Sequence, residues 1–372
     1  MATLVTFRET TRHTDHAGSA KAPDRVAAVA DPEALPAECR DLFTAGGAQS
    51  FFLSEAWFRV TLAHAMPPGA TPCLLVAGTG DRITGLLPMQ WTGEGGLRSL
   101  TTPYTCLYAP LLAPTATPYA SGLAFGRFCR IRPVVRFDAL DPLAPGFAAF
   151  AEGLAASGLA VRRFDHFGNW HEEVGGLTWE EYLAGRSGAL RQTITRKLRR
   201  TGRDSMSRLE VISGVDRLEA GLAAYEAVYA RSWKDAEPFP RFNPALIRAA
   251  AGHGQLRLGV YWLGETPIAV QFWVVDGGVA TILKLAHDEA QKPLSPGTVL
   301  TACLIRRLIE EEGVREIDFG RGDDPYKQLW ARQRRLRVGL LLADPRHPRG
   351  LAALGRHALG RLRQRMTAGS VA

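Results

Sequence analysis

Glu316 to Trp330 reads EIDFGRGDDPYKQLW, and the rest of the chain is best understood from this stretch. Val314, Ile317 and Phe319 make an apolar, strand-like run that stops at Gly320-Arg321-Gly322. Asp323 and Asp324 follow, then Pro325, Tyr326, Lys327 and Trp330. A strand that ends in glycines and passes at once into charged and phenolic side chains is a common way to place chemistry at a sheet edge. Taken alone, the same letters are equally a strand, a glycine turn and an Asp-Pro helix start.

Upstream, Val299, Leu300, Cys303, Leu304 and Leu308 recur with helical period after Pro296-Gly297, predicting a helix that ends at Gly313. Before it, residues 256–262, 268–276 and 279–287 read as three consecutive strands with turns at Gly264-Glu265 and Gly277-Gly278. A strand at 208–212, helices at 215–234 and from Pro244, and a basic helix at 179–203 precede these. The first half has a weaker version of this order. A helix to about His64, a strand pair at 71–77 and 83–91, strand and loop over 97–112, a helix at 147–157 and a strand at 160–164 would close one α/β unit. The hairpins around Gly80-Asp81 and Gly264-Glu265 hint at a duplication. The domains expected are a loose tail with a short entry strand over 1–35, a first domain at 36–170, a junction at 168–178, a second domain at 179–345, and a basic tail at 346–372.

The charge of +8 is a property of the C-terminus, where Pro325 onward holds 11 Lys/Arg against one acid, Asp344. The other residues are close to neutral, so nucleic acid is not an expected partner. Cys39, Cys73, Cys106, Cys129 and Cys303 are far apart and form no CxxC, which suits buried thiols in a reducing compartment. With no apolar run of about 18 residues, and Arg8, Glu9, Arg12 and Asp15 where a signal peptide would be apolar, the expected location is cytoplasmic or peripheral to the inner face of the cytoplasmic membrane.

The segment Asp318-Phe319 through Gly322-Asp323 to Tyr326-Lys327 resembles the DF-x-x-G-D-x-x-Y-K signature of the GNAT-like acyltransferases associated with cellulose and exopolysaccharide biosynthesis. These are relatives of the Fem-type transferases and of bacterial ceramide synthases. Leu294-Ser295-Pro296-Gly297-Thr298 is similar to that family's turn before its long helix, and the Arg-rich helix from Arg186 to Arg203 to its basic lead-in. The resemblance is good over Trp179 to Leu342 and holds in outline before that. It implies an α/β fold with mixed sheets, built as tandem GNAT-like domains, and acyl-CoA-dependent transfer to an amine.

Such a reaction must hold a pyrophosphate, polarise a thioester carbonyl and take a proton from an ammonium. Ser295, Gly297 and Thr298, opening the helix, are the candidate phosphate cradle; the other meaning of these residues is an ordinary Pro-Gly cap. A backbone N–H on the strand 282–287 would polarise the carbonyl. Lys284 is either an ion-pair partner or a phosphate contact, and His287 either acts on the amine or is a strand-end histidine. Asp318 and Asp323 are candidate proton acceptors if burial raises their pKa. Tyr326 either protonates the leaving thiolate or packs against Trp330, and Arg321 and Lys327 bind phosphate or pair with the aspartates. No ligand cluster with metal spacing accompanies Asp323-Asp324, so no metal is expected.

In the tail, Leu351, Leu354, Ala358, Leu362 and Met366 fall on one helical stripe beside Arg356, Arg361, Arg363 and Arg365, a pattern that suits an anionic membrane surface. The amine acceptor is then an amino sugar of envelope polysaccharide or a long-chain lipid amine. Two alternatives stand beside this one. The first is a Fem-type transferase using aminoacyl-tRNA, which usually carries a coiled-coil insertion for which no heptad run is present here. The second is a non-catalytic module that binds anions or membranes.

Overall fold

The computed structural model describes residues 23–368, so most of the tail expected at 1–35 lies outside the described residues. In chain order the elements are β1 (Arg25–Val29), α1 (Cys39–Gln49), α2 (Glu55–His64), β2 (Thr71–Thr79), β3 (Arg82–Trp91), β4 (Leu97–Ser99), β5 (Leu111–Leu112), α3 (Pro118–Cys129), β6 (Val134–Leu140), α4 (Phe147–Ala156) and β7 (Ala160–Glu173). Then come α5 (Trp179–Ala184), α6 (Gly188–Thr201), β8 (Ser207–Ile212), α7 (Leu218–Ala230), α8 (Phe242–Gly252), β9 (Leu256–Leu263), β10 (Thr266–Asp276), β11 (Val279–His287), α9 (Pro296–Glu310), β12 (Glu316–Arg321), α10 (Lys327–Trp330), β13 (Gln333–Ala343) and α11 (Pro348–Ala368). The expected entry strand is β1.

The chain divides into two compact units that exchange segments. The first takes the described residues up to Gly47, Met66–His166 and the described residues from Leu336; the second takes Ala48–Ala65 and Phe167–Arg335. The sequence suggests one cut near 168–178, but residues up to Glu173 are strand, pairing antiparallel with β12 from Glu173↔Glu316 to Asn169↔Arg321. Their polar letters conceal a strand because its buried carboxylates and amides have fixed partners. Glu172, for example, sits between Arg186 and Arg332.

Each unit is built on one plan. In the second, β8, β9, β10 and β11 form an antiparallel meander, and α9 returns the chain so that β12 lies parallel to β11. In the first, β1, β2, β3 and β4 form the meander, and β6 lies parallel to β4 after a connection that includes α3. Four of the five residues that predict α9, Val299, Leu300, Leu304 and Leu308, are buried in a core with Ile305, Trp179, Tyr182, Trp273 and Phe319, and Cys303 is partly buried against it. The basic helix expected at 179–203 is broken at Gly185, giving α5 and α6.

All five cysteines are free thiols, four of them buried. Burial pushes Cys39 up to about 11 and Cys73 up to about 12, so these thiols are not poised as nucleophiles.

Candidate active site

Within the second unit, β11 and β12 begin side by side and then part. Their pairing runs from Val279↔Glu316 to Thr281↔Asp318 and stops, although β11 continues to His287 and β12 to Arg321. On its other edge β11 carries a bulge: Ile282 pairs with Trp273 and Lys284 with Phe272, which leaves Leu283 extra. Beyond Thr281 the backbone of β11 is thus freed from β12 while it stays anchored to β10.

The start of α9 lies at this end of β11. Ser295 adopts left-handed backbone geometry (φ 54°) and its side chain makes no cap hydrogen bond. A non-glycine residue held there costs about 1–3 kcal/mol, and such strain concentrates at functional positions. Because no side-chain oxygen caps the helix, the first-turn N–H groups of Gly297 and Thr298 point outward with the positive end of the helix dipole. A Cβ on Gly297 would lie 3.5 Å from His287 Nδ1, so the histidine is directly beside this turn. Ser295, Gly297, Thr298 and His287 therefore come together.

The His287 imidazole stacks on Trp233, with ring centroids 4.4 Å apart. Its Nε2 lies 3.4 Å from Glu289 Oε1 and makes no hydrogen bond among the described residues. Burial holds its pKa below the ordinary histidine value, with Glu289 opposing, so the ring is neutral at neutral pH and able to accept a proton. Next to Trp233, burial pushes the Lys234 ammonium pKa down and Lys284 pushes it further, while Asp324 and Glu237 oppose and Lys327 adds to the fall. The segment after α7 thus links the end of β11 to the turn after β12. Sequence reasoning missed this segment; its only signal was Trp233-Lys234 with Glu237 in a predicted helix end and loop.

Several expected roles are corrected by the partners these residues have. Asp323 takes two 2.7 Å hydrogen bonds from Arg334, which hold its carboxyl below the usual range rather than raising it. Asp318 is buried and accepts from Asn169 Nδ2 at 2.6 Å, from the Gly320 amide at 2.6 Å and from Arg335. With these donors in place its side chain shapes the Gly320 turn (φ 64°). Lys327 is buried and donates to the carbonyls of Arg321 and Gly322, tying the turn rather than facing a phosphate. Lys284 donates to Glu237 at 2.5 Å, and Tyr229 donates to the same carboxylate at 2.5 Å. The Arg321 guanidinium lies 4.5 Å from the Phe167 ring centroid. Tyr326 is half-buried against the core, and burial, then Asp324, raises its pKa, so the phenol keeps its proton.

Arg186, grouped with the basic helix by its sequence, is 5% exposed and bonds Glu172 at 2.5 Å and the Trp330 carbonyl at 2.6 Å. The arginines of α6 stay outside: Arg191, Arg196, Arg199 and Arg200, with Arg203 just past the helix, line an open groove of about 810 Å³. Among the described residues no group of three or more His, Cys, Asp or Glu side chains is arranged to hold a metal ion. No helix among them is long and apolar enough to cross a membrane.

Comparison with known proteins agrees with this architecture. Residues 188–328 match the model of the acetyltransferase (GNAT) domain. No curated protein matches the sequence. Among solved structures, FemX superposes with a TM-score of 0.54 at 10% identity, covering 82% of this chain and 95% of its own. L-PGS from Bacillus licheniformis superposes with a TM-score of 0.52 at 12% identity, covering 89% of this chain and 97% of its own. Residues 188–328 are thus a GNAT acetyltransferase domain, which makes the protein a transferase, and the chain as a whole has a tandem GNAT-like α/β fold like that of FemX. That assignment sets aside the non-catalytic module.

Proposed function

We propose that the protein is an acyl-CoA-dependent N-acyltransferase in which a primary amine attacks the thioester directly, without a covalent enzyme intermediate. The observation that carries this is the open, strained start of α9 beside a neutral His287, where β11 and β12 part. The Gly297 and Thr298 N–H groups would hold the pyrophosphate of the donor. A β11 N–H beyond Thr281 would accept the thioester carbonyl oxygen and stabilise the oxyanion as it forms. His287 takes a proton from the incoming ammonium, and the freed amine forms the C–N bond. The attached nitrogen gives up its second proton to solvent, the tetrahedral centre collapses with cleavage of the C–S bond, and the Tyr326 phenol gives its proton to the departing thiolate. An amide and the CoA thiol result, and solvent returns the proton from His287 to Tyr326. Lys284, Arg321 and Lys327 shape and charge the surroundings rather than grip the donor.

We place the activity at the inner face of the cytoplasmic membrane, with either an amino sugar of envelope polysaccharide or a long-chain lipid amine as acceptor. The exposed apolar residues of α11 favour the lipid amine. The test is to incubate the protein with acetyl-CoA and long-chain acyl-CoA and a panel of amines, including glucosamine derivatives and sphingoid bases, and to follow free thiol. Amine-dependent thiol release is expected. Its absence with every donor and acceptor would refute the proposal.

The arginine groove along α6 and Arg203 supports a second function, transfer from aminoacyl-tRNA as in Fem-type enzymes, since five exposed guanidinium groups suit a polyanionic donor. Acyl transfer from charged tRNA, with CoA thioesters inert, would decide for it.

A further inference from the structure

The helix α11 is docked on its own unit through one side. A Cβ on Gly350 would fall 2.0 Å from the Asp344 carbonyl oxygen, and Ala353 is 6% exposed. Leu354 and His357, both half-buried, continue the same face at helical spacing. The face away from the fold holds Leu351, Leu359, Leu362 and Met366, which are 55%, 59%, 56% and 69% exposed. At about 100° per residue these four lie within about 80° of one another. The stripe therefore differs from the one the sequence suggests, since Leu354 turns inward and Leu359 joins it. Arg349, Arg356 and Arg363 flank it on one side, all exposed.

We infer that this face seats on an anionic bilayer, with Leu351, Leu359, Leu362 and Met366 at the headgroup–acyl boundary and the arginines among the lipid phosphates. Charge decides the occupant. No carboxylate follows Asp344, so a second copy would bring arginine against arginine, whereas an anionic leaflet complements the flank and the apolar stripe together. The face names the surface on which the activity proposed above would work, and so rests on its membrane part. It does not depend on the acyl transfer.

Flotation of the full chain with vesicles of phosphatidylcholine plus phosphatidylglycerol, against phosphatidylcholine alone, tests this. The wild-type protein floats with the anionic vesicles and stays down with the neutral ones. The double variant Leu359→Glu/Leu362→Glu reduces the bound fraction by about tenfold or more. Arg356→Gln weakens binding about fivefold, and less as salt rises. All of these side chains are exposed, so melting temperatures stay at the wild-type value and lost flotation is read as lost docking. Unchanged flotation of the double variant overturns the inference, as does equal binding to neutral vesicles. Self-association abolished by the double variant also overturns it, in favour of a second copy. Thiol release with a water-soluble amine persists in the double variant; wild type that floats without any thiol release refutes the catalytic proposal alone.

Discussion

The two parallel crossovers, through α3 in the first unit and α9 in the second, share a plan and differ at the helix start. In the first unit Thr117 caps α3 by accepting from the Ala120 amide. The chain then fills the space beside β6: the Tyr108 amide donates to the Ala139 carbonyl at 2.8 Å, and its buried phenol donates to the Pro88 carbonyl at 2.7 Å. In the second unit Ser295 leaves α9 without a side-chain cap, and past Thr281 β11 has no paired strand on its β12 side among the described residues. A satisfied helix start is structural, whereas an unsatisfied and strained one is free to meet a ligand. One architecture thus serves as scaffold in one place and as candidate catalyst in the other.

The largest effect is expected where the second unit is braced. Glu172 is desolvated, yet Arg186 and Arg332 outweigh that and hold its pKa down. Arg186→Ala should lower stability by about 3 kcal/mol in chemical denaturation, because a buried carboxylate loses one of its two arginine partners and the Trp330 carbonyl loses its donor. A carboxyl with a depressed folded pKa stabilises above its unfolded pKa, and the gain is lost as pH falls through the folded value. Acid should therefore destabilise the wild type more than the Arg186→Ala variant.

Next, His287→Ala should cut kcat about 100-fold or more with melting little changed. In the wild type, activity should fall on the acid side with a pKa below that of ordinary histidine, because a base must be unprotonated to act; the variant should lose that limb. Tyr326→Phe should cost about tenfold in kcat and leave donor KM unchanged, read by steady-state thiol release. The smallest effect tests the comparison itself. Thr117→Ala should cost about 1 kcal/mol of stability and leave turnover intact. Lost turnover there would mean that the first crossover also carries chemistry.

What the sequence made legible was local. The meander β9–β11 and the apolar face of α9 follow from short-range periodicity, and both stand in the structure. Missed were α1, α3, β6 and β13. In α3, Gly122 and Gly126 argue against a helix, but they are what lets it approach α4: a Cβ at Gly122 would meet the Phe150 carbonyl oxygen at 2.2 Å. β13 opens with Gln333-Arg334-Arg335, which reads as a charged loop until the carboxylates opposite appear. Asp318 and Asp323 are plausible bases in a string of letters, and only Arg335 and Arg334 in space remove them. His287 and Gly297 were visible as residue types, whereas their adjacency comes from β11 ending where α9 begins.

The exchange of segments between the units also orders events during synthesis. The first unit recruits its β13 portion, paired with β6 through Val338 to Ala343, only after all of the second has left the ribosome. The earlier-made half must therefore wait, its β6 edge bare, while the later-made half already has its full complement of chain. A nascent protein stalled before Val338 would carry a finished transferase module attached to an unfinished neighbour, and that interval is when chaperones would find the most to hold.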